Sequence, residues 1–237
     1  MIRPSLAEGE GFRTEKEQVG LKHKAGAFIF DMDGVIIDSE PIHSRVKMDT
    51  FHHFGLSFNE ADLVNYMGRT SEAIFGEVLA KEQRTDICPA DMVQYKHDHY
   101  LEVLRSGTIG PVSGTVELIH ALQAEGIPLA LATSSWPVVM HTVLEQFGIR
   151  DSFQSVLSGG ELPASKPDPA IYRISAERLG VAPEQCLVLE DTKNGILAAK
   201  NAGMYCIAFR NPHSGQQDLS LADRVVERIS EIDVTKL

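Results

Sequence analysis

The 237-residue sequence predicts an α/β protein, a parallel sheet with helices on both faces, interrupted once by a helical insert. Three observations predict it. Phe28-Ile29-Phe30 is apolar on both faces, as a buried parallel strand requires, and it ends abruptly in Asp31-Met32-Asp33-Gly34. From Thr115 onward, short apolar runs alternate with helical stretches, which is the pattern of βαβ units. Between the two, residues 43–106 carry apolar side chains at helical spacing and few β-branched runs.

The elements follow in order. The first strand runs from Ala25 to Met32, and Asp38-Ser39-Glu40-Pro41 then offers a helix start with proline in its first turn. Val46, Met48, Phe51 and Phe54, then Leu63, Val64, Ile74, Phe75, Val78 and Leu79, then Met92, Tyr95, Tyr100, Leu101 and Leu104 mark a helical bundle. Gly110-Pro111 and Ser113-Gly114 punctuate its end. Helices are predicted over Thr115–Glu125, Pro137–Phe147, Pro169–Leu179 and Lys193–Ala202. Each stops at a glycine (Gly126, Gly148, Gly180, Gly203), where a left-handed C-cap falls. Strands are predicted over Ile127–Thr133, Phe153–Leu157, Cys186–Leu189 and Met204–Phe209, making five with the first. Residues 25–42 and 107–237 therefore read as the core domain, 43–106 as an inserted helical domain and 1–24 as a leader without a signal-peptide apolar core.

Composition bounds the partners. A hydrophobic fraction of 43% suffices for a sizeable core, and a net charge of −11 argues against nucleic acid or an anionic membrane surface as partner. No window approaches a membrane span. Cys88, Cys186 and Cys206 have neither zinc-ligand spacing nor an even count, so reduced thiols and a cytoplasmic location are expected. A small-molecule partner and a monomeric chain complete the expectation.

Ligands of open α/β sheets bind at the carboxyl ends of the strands. Four ends carry polar residues or lead to them: Asp31 and Asp33; Thr133-Ser134-Ser135; Ser165-Lys166-Pro167-Asp168; and Glu190-Asp191. Two carboxylates about 4 Å apart repel by roughly 4 kcal/mol at an effective dielectric near 20, so a cation, a base or a shared proton must sit beside Asp31 and Asp33. Asp31, Asp33, Glu190 and Asp191, with no accompanying His or Cys, suit Mg²⁺ better than zinc. Thr133 and Ser134 can donate to phosphoryl oxygens, and Lys166 supplies a compact positive charge. A carboxylate can attack phosphorus while a second acts as acid and base. Taken singly, Thr133 and Ser134 also suit a helix cap, Lys166 a solvated loop, and Glu190 and Asp191 an acidic first turn. Their joint placement at strand ends favours a site.

Asp31-Met32-Asp33-Gly34-Val35, Thr133-Ser134, Lys166-Pro167 and Glu190-Asp191 resemble, in order, the four motifs of the haloacid dehalogenase superfamily, over residues 25–210. The insert between the first and second motifs resembles a small helical cap. Asp38-Ser39-Glu40-Pro41 and Gly68-Arg69-Thr70 resemble the β-phosphoglucomutase-like branch and its sugar-phosphate phosphatases. The resemblance implies a Rossmann-like core, Asp31 as nucleophile, and Asp33 as general acid/base and backbone metal ligand. It also implies Asp191 as a Mg²⁺ ligand with Glu190 close by or also liganding, and Thr133, Ser134 and Lys166 on the phosphoryl group. An aspartate at position 33 favours phosphoryl transfer over dehalogenation. His43, Arg69 and Lys96 are candidates for substrate contact from the hinge and cap; each also suits a packing or surface role. Hydrolysis of a sugar phosphate or related metabolite is expected, with an intramolecular phosphomutase as the alternative. The mutase carries its arginine three residues after the cap glycine, where this chain has Ser71, with Arg69 directly after Gly68. A phospho-aspartate receiver module is the non-enzymatic reading. Such a module has half this length and no inserted helices.

Overall fold

The computed structural model describes residues 25–59, 62 and 70–237. The predicted leader, Leu63, Val64, Gly68 and Arg69 lie outside the described residues.

Six parallel strands form one sheet in the order β3-β2-β1-β4-β5-β6. They are β1 (Ala27–Phe30), β2 (Leu129–Thr133), β3 (Ser155–Ser158), β4 (Cys186–Glu190), β5 (Tyr205–Phe209) and β6 (Arg224–Val226). Among the described residues there are seven α-helices: α1 (Glu40–His53), α2 (Ser71–Lys81), α3 (Pro89–Arg105), α4 (Thr115–Ala124), α5 (Pro137–Gln146), α6 (Ala170–Leu179) and α7 (Lys193–Asn201). The five predicted strands and four core helices are present within a few residues of their expected ends. β6 was not predicted: three residues, Arg224-Val225-Val226, are too short to show an alternation. Gly126, Gly148, Gly180 and Gly203 all hold positive φ, so each helix stops at a backbone turn that side chains with a Cβ disfavour.

The core is two-sided because strand side chains alternate. Phe28 and Phe30 pack on one face with Leu129, Leu131, Leu187 and Leu189 under α4 and α5. Ala27 and Ile29 face the other way, with Ala130, Ala132 and Val188 under α6 and α7. Burying each of Phe28, Ile29 and Phe30 contributes about 1.5–3 kcal/mol. The cap helices have a cluster of their own, built on Phe51, Ile74, Phe75, Val78, Leu79 and Met92.

The two chain crossings into the cap run side by side. Ile37 bridges Pro111, Val112 N–H donates to Ile36 O at 2.8 Å, and the Thr115 hydroxyl donates to Val35 O at 2.8 Å. The sheet order reverses at β1, which lies between β2 and β4, so the binding crevice falls at the carboxyl ends of these three strands. The three cysteines are free, and among the described residues no helix is long and apolar enough to cross a membrane.

Candidate active site

β1 and β4 are in register, Phe30 against Leu189, so Asp31 and Glu190 end their strands level with each other. Lys166, on the loop after β3, inserts between them. Its ammonium donates to Asp31 Oδ1 at 2.5 Å, Glu190 Oε1 at 2.7 Å and the Ala132 carbonyl at 3.0 Å. It also lies 4.9 Å from the centre of the Tyr172 ring. All three charged side chains are nearly inaccessible. Burial opposes the charge of Lys166, but Asp31 and Glu190 outweigh it and hold the ammonium above its ordinary value. Burial pushes the Asp31 carboxyl well up, and Lys166 pulls against that shift.

Glu190 is saturated with donors. Oε1 accepts from Lys166 and from the Tyr172 hydroxyl at 2.6 Å. Oε2 accepts from the N–H groups of Asp191 and Thr192 at 3.1 and 3.2 Å, and from the Thr192 hydroxyl at 3.1 Å. Despite the cost of burial, Lys166 and these hydrogen bonds hold its pKa below the ordinary value. α7 begins against this carboxylate so closely that a Cβ at Gly195 would overlap it.

Asp33 has different neighbours. Its Oδ2 accepts from the Thr133 hydroxyl at 3.3 Å and the Ser135 hydroxyl at 2.7 Å, while Oδ1 is buried with no partner among the described residues. Asp191 Oδ2 accepts from Ser214, and its Oδ1 is likewise buried without a partner among the described residues. Burial, reinforced by the charge of Glu190, pushes the Asp191 carboxyl up to about 7. Gly34, at φ +77, lets the turn after Asp33 lie against Asp191, because a Cβ there would overlap Oδ2.

Asp31, Glu190 and Asp191 each offer a carboxylate oxygen within 4.8 Å of the others. Within this group Asp191 Oδ1 is unpartnered among the described residues, and an all-carboxylate donor set fits a hard divalent cation. This group can bind a metal ion.

A cavity of about 430 Å³ opens between α3 of the cap and the start of α5, and one of its lining residues, Ser135, is bonded to Asp33. His43, Lys96, His97, Tyr100, Ser134, Ser135 and Trp136 are among its lining residues. Ser134 faces this cavity, whereas the buried Thr133 hydroxyl is engaged with Asp33 and accepts from Ser135 N–H at 3.0 Å. His43 stacks on Tyr100 at 4.4 Å, and neither His43 Nδ1 nor Tyr100 Oη has a partner among the described residues. Burial, with Lys96 close by, pushes His43 down to about 4. Burial, with Lys47 close by, brings Lys96 down to about 8. The cavity thus brings His43 and Lys96 together with Ser134 and Ser135 of the second motif.

Sequence reasoning missed Ser135, Tyr172, Asn211 and Ser214. Ser135 lay in the Thr-Ser-Ser run already noted. The polar run after β5, Asn211-Pro212-His213-Ser214-Gly215, is the same kind of strand-end signal as the other four. Tyr172 carried no local signal, because one tyrosine on an amphipathic helix reads as core.

The sequence profile described as haloacid dehalogenase-like hydrolase matches residues 28–209. The chain belongs to that family. It is 30% identical to hexitol phosphatase B of Escherichia coli K12 over 214 residues, covering 89% of this chain and 96% of that one. The structure of CbbY from Rhodobacter sphaeroides in complex with phosphate superposes with a TM-score of 0.72 at 27% identity, over 87% of this chain and 96% of that one. A Thermotoga maritima structure assigned as a β-phosphoglucomutase superposes with a TM-score of 0.77 at 26% identity, over 86% and 95%. The haloacid dehalogenase-like hydrolase is therefore an enzyme with a Rossmann-like core and inserted cap helices.

Proposed function

We propose that this hydrolase is a Mg²⁺-dependent phosphatase of a small phosphorylated metabolite, a sugar phosphate in the first instance, working through an aspartyl-phosphate as a cytoplasmic monomer. One observation carries the reading: the two aspartates of the first motif sit in opposite environments. Asp31 is bonded to a buried ammonium, which opposes the pull of burial toward the protonated carboxyl and so favours the nucleophilic form. Among the described residues the Asp33 carboxylate is bonded to hydroxyls alone, as a group that takes up and returns a proton requires.

Asp31 attacks phosphorus as the ester P–O bond breaks, and Asp33 gives its proton to the leaving oxygen. Asp33 then takes a proton from water as that water attacks the phosphorus of the acyl phosphate, releasing phosphate and restoring Asp31. Lys166 and Ser134 hold the transferring phosphoryl group, and Thr133 aims Asp33. Asp31, the backbone carbonyl of Asp33 and Asp191 hold the cation, and Glu190 positions Lys166 and the start of α7. When bound, Mg²⁺ offsets the charge gathered on the carboxylates and the phosphoryl oxygens. Residues 43–106 act as a lid that excludes bulk water, hinged at the paired crossings.

The test offers sugar phosphates with and without Mg²⁺ to the wild type and to Asp33→Asn. Mg²⁺-dependent phosphate release, reduced about 10²–10⁴-fold in the variant, is expected. No turnover on any substrate would overturn the reading. The Lys96 region, which lines the cavity, resembles the cap of the mutase and supports a second reading, an intramolecular phosphomutase. Isomerised sugar phosphate, formed faster when a bisphosphate is added, would establish it.

Lys96 makes a separate prediction. Glu40 and Lys47 of α1 lie near its ammonium, as do His43 and His97. Its charge is lost as pH rises through about 8. With Lys96 reading an anionic substrate, kcat/KM falls about tenfold per pH unit above that point, since kcat/KM reports the free enzyme. Lys96→Arg removes the limb. A limb unchanged in the arginine variant would take Lys96 out of substrate binding.

A further inference from the structure

The loop after β5 touches the site at three places. The Ser214 hydroxyl donates to Asp191 Oδ2. The buried Asn211 amide donates to the Gly34 carbonyl at 2.9 Å, one peptide beyond Asp33. The His213 ring is hydrogen-bonded to Asp38, at the first crossing into the cap. The loop is braced internally as well. His213 N–H donates to Asn211 Oδ1 at 2.8 Å. Gln217 donates to the Ser214 carbonyl at 2.9 Å and accepts from Lys193 N–H, at the start of α7, at 3.1 Å.

An aspartate carboxylate turns easily about its last torsion, which is broad and two-fold, so its neighbours decide which oxygen faces a ligand. At Asp191 the neighbours leave one choice. Oδ2 is occupied by Ser214, and both lie against Gly34, where an added Cβ would come 3.1 Å from Ser214 Oγ and overlap Oδ2. Oδ1 is left buried and without a partner among the described residues.

We propose that Ser214 is a positioning residue of the cation site: its hydroxyl occupies Asp191 Oδ2 and presents Oδ1 to the ion, on a loop held by Asn211 and Gln217. This rests on the reading of Asp191 as a metal ligand. The residue acts through Asp191 and touches neither substrate nor ion. Removing such an outer partner weakens metal affinity about 10–100-fold in characterised sites.

Calorimetric titration of the full chain with Mg²⁺ tests it, in the wild type, Ser214→Ala, Ser214→Thr and Gln217→Ala. The alanine variant is expected to bind Mg²⁺ at least about tenfold more weakly, and the threonine variant, which keeps the hydroxyl, to recover most of the loss. The Mg²⁺ concentration giving half-maximal activity should rise in parallel, with kcat at saturating Mg²⁺ nearly unchanged. Wild-type affinity in a folded Ser214→Ala would overturn the proposal while leaving the cation reading intact. If Ser214→Ala does not fold, Gln217→Ala decides. Weakened binding there supports the loop's role, and unchanged binding overturns it. A wild type that binds no Mg²⁺ would overturn the cation reading itself, and the proposal with it.

Discussion

Asp31→Asn is expected to lower phosphate release by about 10⁵–10⁶-fold, the scale on which nucleophile deletions act. The amide has nearly the shape of the carboxylate and can still accept from Lys166. It has no negative charge with which to attack phosphorus, so no acyl phosphate forms. Folding should survive, because the change removes one of several like charges crowded at the strand ends. Burial and the charges of Glu190, Asp191 and Asp33 all push the Asp31 proton affinity up, and only Lys166 opposes them. Single-turnover trapping of phosphoprotein, alongside thermal unfolding, checks both halves. Phosphoprotein in the asparagine variant, or activity above about one part in a hundred, would place the nucleophile elsewhere.

Lys166→Met is the second large effect, and it acts on stability as well as turnover. It leaves Asp31 and Glu190 buried with no compensating cation, and breaking a buried ion pair from one side costs about 3–5 kcal/mol. For a chain of this size that corresponds to a fall in Tm of about 6–20 °C. The pH dependence carries a sign. Without the ammonium, the folded-state pKa values of both acids rise above their unfolded values, so the native state binds more protons than the unfolded one. The variant should therefore be nearest to wild-type stability at low pH and lose ground as pH rises through those raised values. Measuring Tm for both proteins at pH 5 and pH 8 tests this. A gap that is equal or larger at pH 5 would show that Lys166 does not neutralise this pair.

Much of the fold was legible because it depends on short-range pattern. The uniformly apolar Phe28-Ile29-Phe30, the helices ending at Gly126, Gly148, Gly180 and Gly203, and the 3.6-residue spacing of the cap are relations between residues a few positions apart. The strand-end rule then converted topology into a site, which is why Asp31, Asp33, Lys166, Glu190 and Asp191 could be named together. The same rule, applied to the end of β5, leads to Asn211 and Ser214. β6 escaped because an edge strand of three residues has no pattern to read.

The hydrogen-bonded pairing within the site was not legible. In the sequence, Glu190 and Asp191 are adjacent acids, and the resemblance leaves Glu190 either beside the ion or on it. In the fold, Glu190 is saturated by Lys166, Tyr172 and the start of α7, while Asp191 keeps one oxygen unpartnered among the described residues. Thr133 reads as a phosphate donor in the sequence and is found bonded to Asp33. By itself, then, the sequence determined the parallel sheet, the inserted helices and the carboxylates that meet at one edge. Tertiary structure decided which of those carboxylates are paired with Lys166, which is aimed by hydroxyls and which keep an oxygen without a partner among the described residues. The reason is range: these hydrogen bonds join residues 24, 135 and 177 positions apart. No local period encodes which donor reaches which oxygen.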